Sequence, residues 1–471
     1  MVDYITVIGG GLAGCEAAYQ IAKRGIKVKL YEMKPTKFSP AHNNKNLAEI
    51  VCSNSFKSNL LTNACGLLKE ELRKMDSLLI KIADETQVPA GQALAVDREK
   101  FSKAVDENIR NNSLITIVEK EVSSIYAESN LNNENNKSKE NKEYLENLIK
   151  EGIVIIATGP LTSDELSIGI KNLIGENQLN FYDAAAPIIE KDSINFDIAF
   201  YGNRYEQEKK KEETEEEWKK RLETKGSYIN LPMNKTEYEN FCNELINAEV
   251  VVLKDFEKRE IFEGCMPIEV MAKRGIDTLR FGPLKPMGFD DPRTAKRPYA
   301  IVQLRQDNLE ASLYNMVGFQ TNLKYGEQKR IFRMIPGLEN AEFAKYGVMH
   351  RNTFINSTKL LDSTYNLKRN NQVYFAGQIT GVEGYVESIS SGLVAGINAA
   401  EQYLKTNTNQ QSKIEFSENT ILGALAKYIS TPNDKFQPMN ANFGILPSLD
   451  EKIKDKKLKY QKMAERSLEN F

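Results

Sequence analysis

The chain has little cysteine and almost no histidine. Its 471 residues include five cysteines (15, 52, 65, 242 and 265) and two histidines, His42 and His350. Five scattered thiols with no CxxC pair argue against a disulfide framework and suit a reducing compartment. Two histidines so far apart argue against a zinc site and against Ser-His-Asp chemistry. There is no run of about 18 apolar residues, so no membrane span is expected. The opening MVDYITVIGG reads as a strand and its turn, not as a leader, so the expected location is the cytoplasm. Excess positive charge is missing too. The net charge is −2, so any nucleic-acid surface has to be a local patch. With 41% hydrophobic residues, the composition is that of a soluble globular protein of two or three domains.

Residues 4–32, YITVIGGGLAGCEAAYQIAKRGIKVKLYE, carry the strongest local signal. A short apolar strand is predicted over 4–8. The turn Gly9-Gly10-Gly11-Leu12-Ala13-Gly14 follows, with the GxGxxG spacing. A helical segment comes next, with Ala17, Ala18, Ile21 and Ala22 near helical spacing, and a second strand ends at Glu32. GxGxxG alone is weak evidence. Strand before, helix after and an acid downstream together make a dinucleotide-binding fingerprint. The glycines let the backbone approach a pyrophosphate at the helix N-terminus, and Glu32 is placed to accept from a ribose hydroxyl.

Later segments favour FAD over NAD. GIVIIATGP (152–160) is an apolar strand entering a turn at Gly159. Residues 371–404 read as a strand, a glycine-rich loop with Gly377, Gly381 and Gly384, then a small-residue helix. A strand of this kind returning to an N-terminal Rossmann unit is how FAD enzymes of the glutathione-reductase type complete their flavin site. No second GxGxxG is present. The predicted fold is therefore α/β, a Rossmann-type FAD-binding domain split into residues 1–185 and 346–471, with an inserted α/β substrate domain at 186–345.

Two segments look like insertions. Residues 128–150 are rich in Asn, Lys and Glu and read as a solvated loop or flexible hairpin tip. Residues 206–225 read as a charged, exposed helix with Trp218 and Leu222 on one stripe. The C-terminal stretch reads as a basic helix. In the middle, FEGCMPIEVMAKRG (262–275) sets Cys265 ahead of a short helix, with Pro267 suited to its first position and Gly275 to its end. A thiol at a helix start feels partial positive charge, which favours the thiolate. Lys273, Arg274, Arg280, Lys285, Arg293, Lys296 and Arg297 follow, interleaved with Phe281, Phe289 and Tyr299. Such a run can hold phosphates and stack bases, or be a solvated basic face.

The segments VIGGGLAGCEAA, PAHNN, VCSNSFKSN, VPAGQALAVDR, FEGCMPIEVMAKRG, VQLRQDN, GFQTNLKYGEQKR, MHRNTFIN, FAGQITGVEGYVES and FQPMNANFGILP together resemble the folate- and FAD-dependent tRNA (uracil-5-)-methyltransferases. The likeness runs from residue 5 to about 447. It departs from the family pattern at Asn43 and Asn322, where that family carries histidine, and in the two longer insertions. Asparagine hydrogen-bonds but does not carry a proton as histidine does.

The resemblance implies methylation of carbon 5 of an RNA uridine. Methylenetetrahydrofolate would be the one-carbon donor, reduced FAD the carrier and reductant, and NADH or NADPH the source of electrons. The expected target is a tRNA T-loop uridine, with a 23S ribosomal RNA uridine as alternative. Carbon 5 of uracil is a poor nucleophile until a thiolate adds to carbon 6. Cys265 is assigned that attack, and Cys52, in a polar loop, is the second candidate. Tyr385 and Glu387 are placed beside the flavin. The candidate substrate contacts are Lys273, Arg274, Arg280, Lys285, Arg293, Arg297, Asn322, His350, Arg351 and Glu387. No metal site and no obligate protein partner are expected. A flavin-dependent small-molecule oxidoreductase and a non-enzymatic RNA-binding relative are the competing readings.

Overall fold

The computed structural model describes residues 2–126, 142–176, 179–204, 214, 228–251, 266–347, 349–408, 414–434 and 436–471; for 179–183 and 349–351 it describes the backbone alone. Cys265 and nearly all of 206–225 lie outside the described residues.

The N-terminal signal folds as its pattern requires. Strand β1 (Tyr4–Ile8) leads through the glycine turn into helix α1 (Leu12–Lys23), and strand β2 (Lys27–Tyr31) returns beside β1 in parallel. Ala13, Ala17, Ala18, Ile21 and Ala22 are all buried, because the helical period puts them on the face that covers the sheet. Strands β3 (Ile115–Val118), β4 (Val154–Ile156), β5 (Asn366–Leu367) and β6 (Asn370–Phe375) complete the sheet. Its order is β5-β6-β4-β1-β2-β3, parallel throughout except for the edge pair β5–β6. Ile8 pairs with both Tyr31 and Ile156, and Ile156 with Phe375. The carboxyl ends of four strands therefore stop in line. In a parallel sheet that edge is where ligands bind.

Helix α2 (Tyr385–Thr408) follows β6 and packs on α1. Contact is backbone to backbone. A Cβ at Gly392 would stand 2.2 Å from the Ala13 carbonyl oxygen, and one at Gly396 would stand 2.8 Å from the Ala17 Cα. These glycines are thus set by helix–helix approach.

A second core forms from residues between 186 and 341. Its six-stranded sheet has the order Phe200–Tyr201, Tyr228–Met233, Ala300–Gln306, Leu313–Met316, Ile188–Glu190, Phe343–Lys345, and is antiparallel at every pairing. The first core draws on residues up to Ile174 and again from Ile355 onward. Between the two, strands Leu179–Ala184 and Met349–Phe354 run antiparallel as a two-stranded ribbon. Among the described residues, no helix is long and apolar enough to cross a membrane.

Two expectations need correction. The end of the 128–150 segment is not a loop: Lys142–Tyr144 pairs with Glu121–Ser123, and helix Leu145–Glu151 buries Leu145 and Leu148. Pro267 is not the first helical residue but the N-cap of the helix Ile268–Lys273, with ψ at 140°.

One buried carboxylate ties the C-terminal helices to the first core. Glu71 accepts from the Ile421 and Leu422 N–H groups at 2.8 and 2.9 Å and from the Ser467 hydroxyl at 2.6 Å. It thus caps the start of helix Ile421–Ser430. Burial, partly offset by these hydrogen bonds, raises its pKa from the ordinary 4.5 to about 7. A raised carboxyl pKa means that the folded state holds the proton more tightly than the unfolded one. The associated stability is present below about pH 4.5 and is lost as pH rises to about 7. Comparing melting temperatures across that window should show the loss in the wild type and not in Glu71→Gln. Below about pH 4.5, Glu71→Ala should cost about 2–5 kcal/mol, because two buried backbone donors lose their acceptor, and the difference from wild type should shrink as pH rises to about 7.

Candidate functional site

The line of strand ends opens onto a cavity with walls that include Gly9–Ala13, Tyr31–Lys34, His42, Glu49, Val51, Ala157–Ser163, Gly377, Gln378, Tyr385 and Ser388. Gly11 caps α1 with no side-chain hydrogen bond, so the leading N–H groups of the helix are left for an anion. A Cβ on Gly11 would meet nothing within 4 Å, because that position faces the open cavity. By contrast, a Cβ on Gly14 would lie 1.8 Å from the Gly9 carbonyl oxygen, and Gly9 itself has φ +102°. Gly11 leaves room for the ligand, whereas Gly9 and Gly14 make the turn and the close packing possible.

Glu32 stands at the end of β2, nearly buried. Its Oε2 accepts from the Gly10 N–H at 2.8 Å and its Oε1 from the Lys34 N–H at 2.9 Å. Each carboxylate oxygen keeps a second lone pair for a ribose hydroxyl. The donor set, the free helix end and the open space at Gly11 fit FAD. Residues 9–13 would hold the pyrophosphate, Glu32 the ribose, and Gly377, Gln378, Tyr385 and Val51 the flavin end.

Tyr385 begins α2 and packs on Phe56, centroids 5.7 Å apart. Its hydroxyl oxygen accepts from the Cys52 and Ser53 N–H groups at 3.0 and 3.1 Å. Burial, reinforced by the neighbouring Cys52 sulfur, keeps its phenol protonated well above the ordinary range. Cys52 is half-buried, and its Sγ lies 3.7 Å from the Ala184 carbonyl oxygen on the ribbon. The same loop is held from the other side. Arg98 donates Nε to both oxygens of Asp307, Nη1 to the Ile50 carbonyl and Nη2 to the Cys52 carbonyl, all within 3.1 Å. Arg305 reaches Asn54 at 2.9 Å and Ser53 at 2.5 Å. Residues 50–54 are therefore fixed by α2, by the first core and by the second.

The remaining candidates fall elsewhere. Gly159 and Gly377 line the cavity, whereas Gly381 and Gly384 do not: a Cβ on Gly381 would strike the Phe436 ring at 2.3 Å, and one on Gly384 the Glu387 carboxylate at 2.2 Å. Glu387 is fully buried, accepting from Lys57 Nζ at 3.2 Å and from the Ala441 N–H at 2.9 Å. Asn322 is buried and held by its neighbours. Its N–H donates to Glu269 at 2.8 Å and its Nδ2 to the Val251 carbonyl at 3.0 Å. His350 and Arg351 lie on the ribbon strand opposite Asp183 and Tyr182.

Of the cations, Lys273, Arg274 and Arg297 are exposed and Lys285 is half-buried. Arg293 forks onto Asp291 at 2.7 and 3.0 Å. Arg280 donates to the Tyr299 carbonyl at 3.0 Å and lies 4.1 Å over the Tyr299 ring. Phe289 is core, so of the three interleaved aromatics Phe281, at 73% exposure, is the one presented to solvent. Arg98, Arg305, Asp307, His42 and Glu49 did not stand out in the sequence. Arg98 and Asp307 sit in VPAGQALAVDR and VQLRQDN, but nothing local marks them as partners.

Fold and cavity together define a flavoprotein-type dinucleotide-binding enzyme with a second, antiparallel core inserted. The similarity to solved structures agrees. Aquifex aeolicus GidA, in its form I crystal, gives a TM-score of 0.63 at 16% identity, covering 91% of this chain and 69% of that one. Form II gives 0.61 at 17% identity, with 91% and 67% covered. Residues 4–407 match the family described as glucose inhibited division protein A. Among curated relatives, the methylenetetrahydrofolate–tRNA-(uracil-5-)-methyltransferase TrmFO of Acetivibrio thermocellus is 56% identical over 469 residues, covering 99% of this chain and 98% of that protein. The proteins of the same name in Enterococcus faecalis and Halalkalibacterium halodurans are each 52% identical, with 100% and 99% of this chain covered and 98% of either relative. The chain belongs to the glucose inhibited division protein A family and, within it, to the methylenetetrahydrofolate–tRNA-(uracil-5-)-methyltransferases.

The glycine geometry yields a test of the cavity. Gly11→Val should still fold, because its side chain meets open space, yet purify without the flavin absorbance near 450 nm, an approximate value for bound oxidised flavin, and melt at a lower temperature for want of bound cofactor. Gly14→Val should fail to accumulate as folded protein, because its side chain meets backbone rather than open space. Yellow Gly11→Val protein with a full complement of flavin would contradict the cavity assignment.

Proposed function

We propose that this protein methylates carbon 5 of a tRNA uridine, the T-loop uridine being the expected position, with methylenetetrahydrofolate as one-carbon donor. The observation that carries the reading is the full-length likeness to relatives of that name, on a chain with a cavity shaped for FAD. FAD, reduced by NADH or NADPH, would supply the hydride and relay the one-carbon unit. Residues 1–185 and 346–471 would form the flavin part and 186–345 the RNA-facing part, a division supported by the membership of the two cores. The cytoplasm is the proposed location.

The chain's own part is to place groups and move protons. Cys265 adds its thiolate to uracil carbon 6, forming an S–C6 bond and leaving carbon 5 an enolate carbon. Carbon 5 bonds to the one-carbon unit and loses its proton, the bond from that carbon to its donor nitrogen breaks, and the S–C6 bond breaks to return the thiolate. The transferred carbon reaches the methyl level by gaining one hydride. Cys52, on the loop held by Tyr385 and Arg98, serves as acid, base or protective thiol near the flavin. The uracil has to leave its stack to reach them. Of the cations Lys273, Arg274, Arg280, Lys285, Arg293 and Arg297, the exposed ones contact RNA phosphates.

Labelled methylenetetrahydrofolate, a nicotinamide reductant and tRNA should give labelled 5-methyluridine. S-adenosylmethionine with folate-free enzyme should give none. Cys265→Ala should lose several orders of magnitude in rate while its FAD is still reduced normally. RNA with 5-fluorouridine at the target should form a covalent adduct with wild type and Cys52→Ala but not with Cys265→Ala. The opposite pattern would make Cys52 the nucleophile.

A further inference from the structure

Three aromatic rings form a ladder at the edge of the second core. Tyr325 opens the helix Tyr325–Phe332, and its ring lies 5.1 Å from that of Tyr346 at an interplanar angle of 24°. Tyr346 in turn lies 5.3 Å from Phe343 at 17°. The outer ring, Tyr325, is 57% exposed. Among the described residues, neither tyrosine hydroxyl has a hydrogen-bond partner. The ladder is held rigid from behind. Gln328 donates to the Leu323 carbonyl at 2.8 Å and the Gly347 carbonyl at 2.9 Å, and accepts from the Gly347 N–H at 2.8 Å. Helix and strand are thereby locked in register under the rings.

Its position is informative. The chain enters 252–265 from Val251, whose N–H donates to the Asn322 carbonyl at 2.9 Å, and leaves it through Ile268, whose N–H donates to the Gln320 carbonyl at 2.7 Å. Both ends of the segment that contains Cys265 are thus tied to 320–322, just ahead of Tyr325. On its other side the ladder runs into Gly347, packed close against Ala185, and so into the ribbon that Cys52 touches. Lys324 and Lys329 lie one residue before and four residues after Tyr325 and are exposed, Lys324 in a surface ion pair with Glu249 at 2.5 Å.

We propose that the Tyr325 face of this ladder is a base-stacking platform for the RNA substrate, gripping a nucleotide beside the target uridine. The inference rests on the tRNA reading above. A preformed stack of near-parallel rings offers one more base a π-surface whose ordering cost is already met, and stacking tolerates any base. Other aromatics of the middle region offer less: Arg280 lies 4.1 Å over the half-buried Tyr299 ring and 5.6 Å over the exposed Phe281 ring, and Phe196, 41% exposed, stacks on Tyr201 at 5.4 Å as a pair rather than a three-ring ladder.

The test uses FAD-loaded full-length protein and an unmodified tRNA transcript. Tyr325→Leu and Tyr325→Ala should weaken tRNA binding roughly 5- to 150-fold, the span of one base–aromatic stack. Tyr325→Phe and Tyr325→Trp should bind as wild type does. The slope of log affinity against log salt should stay the same in all four, because no charge is removed, whereas Lys324→Ala with Lys329→Ala should reduce it. Flavin content, melting temperature and flavin reduction by nicotinamide should not move. Wild-type affinity in the Leu variant would overturn the platform while leaving methyl transfer, and hence the tRNA reading, intact. Loss of binding in the Phe variant would overturn it too, by making the hydroxyl rather than the ring the contact. Absence of methyl transfer by the wild type would overturn both.

Discussion

The close approach of α1 and α2 governs what else the molecule can build. Ala13 and Ala17 on one helix meet Gly392 and Gly396 on the other at backbone distance, and any side chain between them would push the helices apart. Ala13 also lines the cavity, and Gly377, just before α2, lies close to the Ala13 methyl position. The N-terminal glycine turn and the loop after β6, some 370 residues apart by the sequence, therefore form one continuous wall. A cavity of this kind is a by-product of how near two helices can come, and small residues set that limit.

A second constraint acts across the two cores. The guanidinium of Arg98 spends four hydrogen bonds in three directions, toward Asp307 and toward two carbonyls of the Cys52 loop. Five N–H donors in a rigid fork suit such a junction, and a lysine would satisfy only part of it. Tyr385 closes the loop from below through its hydroxyl. The thiol beside the cavity is thus placed as much by the second core as by the first.

Local periodicity explains which parts could be read in advance. The first strand, turn and helix follow from a pattern confined to thirty residues, and β1 spans Tyr4–Ile8 as its apolar run predicts. Gly377, Gly381 and Gly384 were visible as glycines, but a glycine looks the same in sequence whether it faces a ligand or, like Gly381, the ring of Phe436. The cation–aromatic run lies mostly in irregular backbone, where no period says which side points inward, and Phe289 went to the core. Asn322 was suggestive by position, yet it is engaged by Glu269 and Val251. Arg98 and Asp307 pair across more than two hundred residues, a contact that exists only once both cores have folded.

The ribbon of Leu179–Ala184 and Met349–Phe354 has an architectural consequence. The polypeptide leaves the flavin-side body and comes back to it through adjacent, hydrogen-bonded strands. The whole inserted body therefore hangs from what amounts to one hairpin, and the parallel sheet beneath is indifferent to how much chain lies beyond it. Closing an insertion with its ends already side by side costs little additional entropy, however long it grows. A lineage could exchange or remodel the entire substrate-facing half without rewiring a single strand of the cofactor-facing half. The contacts around residues 50–54 and 305–307, with those that join Ala90 to Tyr228, Asp97 to Leu309 and Lys100 to Glu310, would have to be renegotiated.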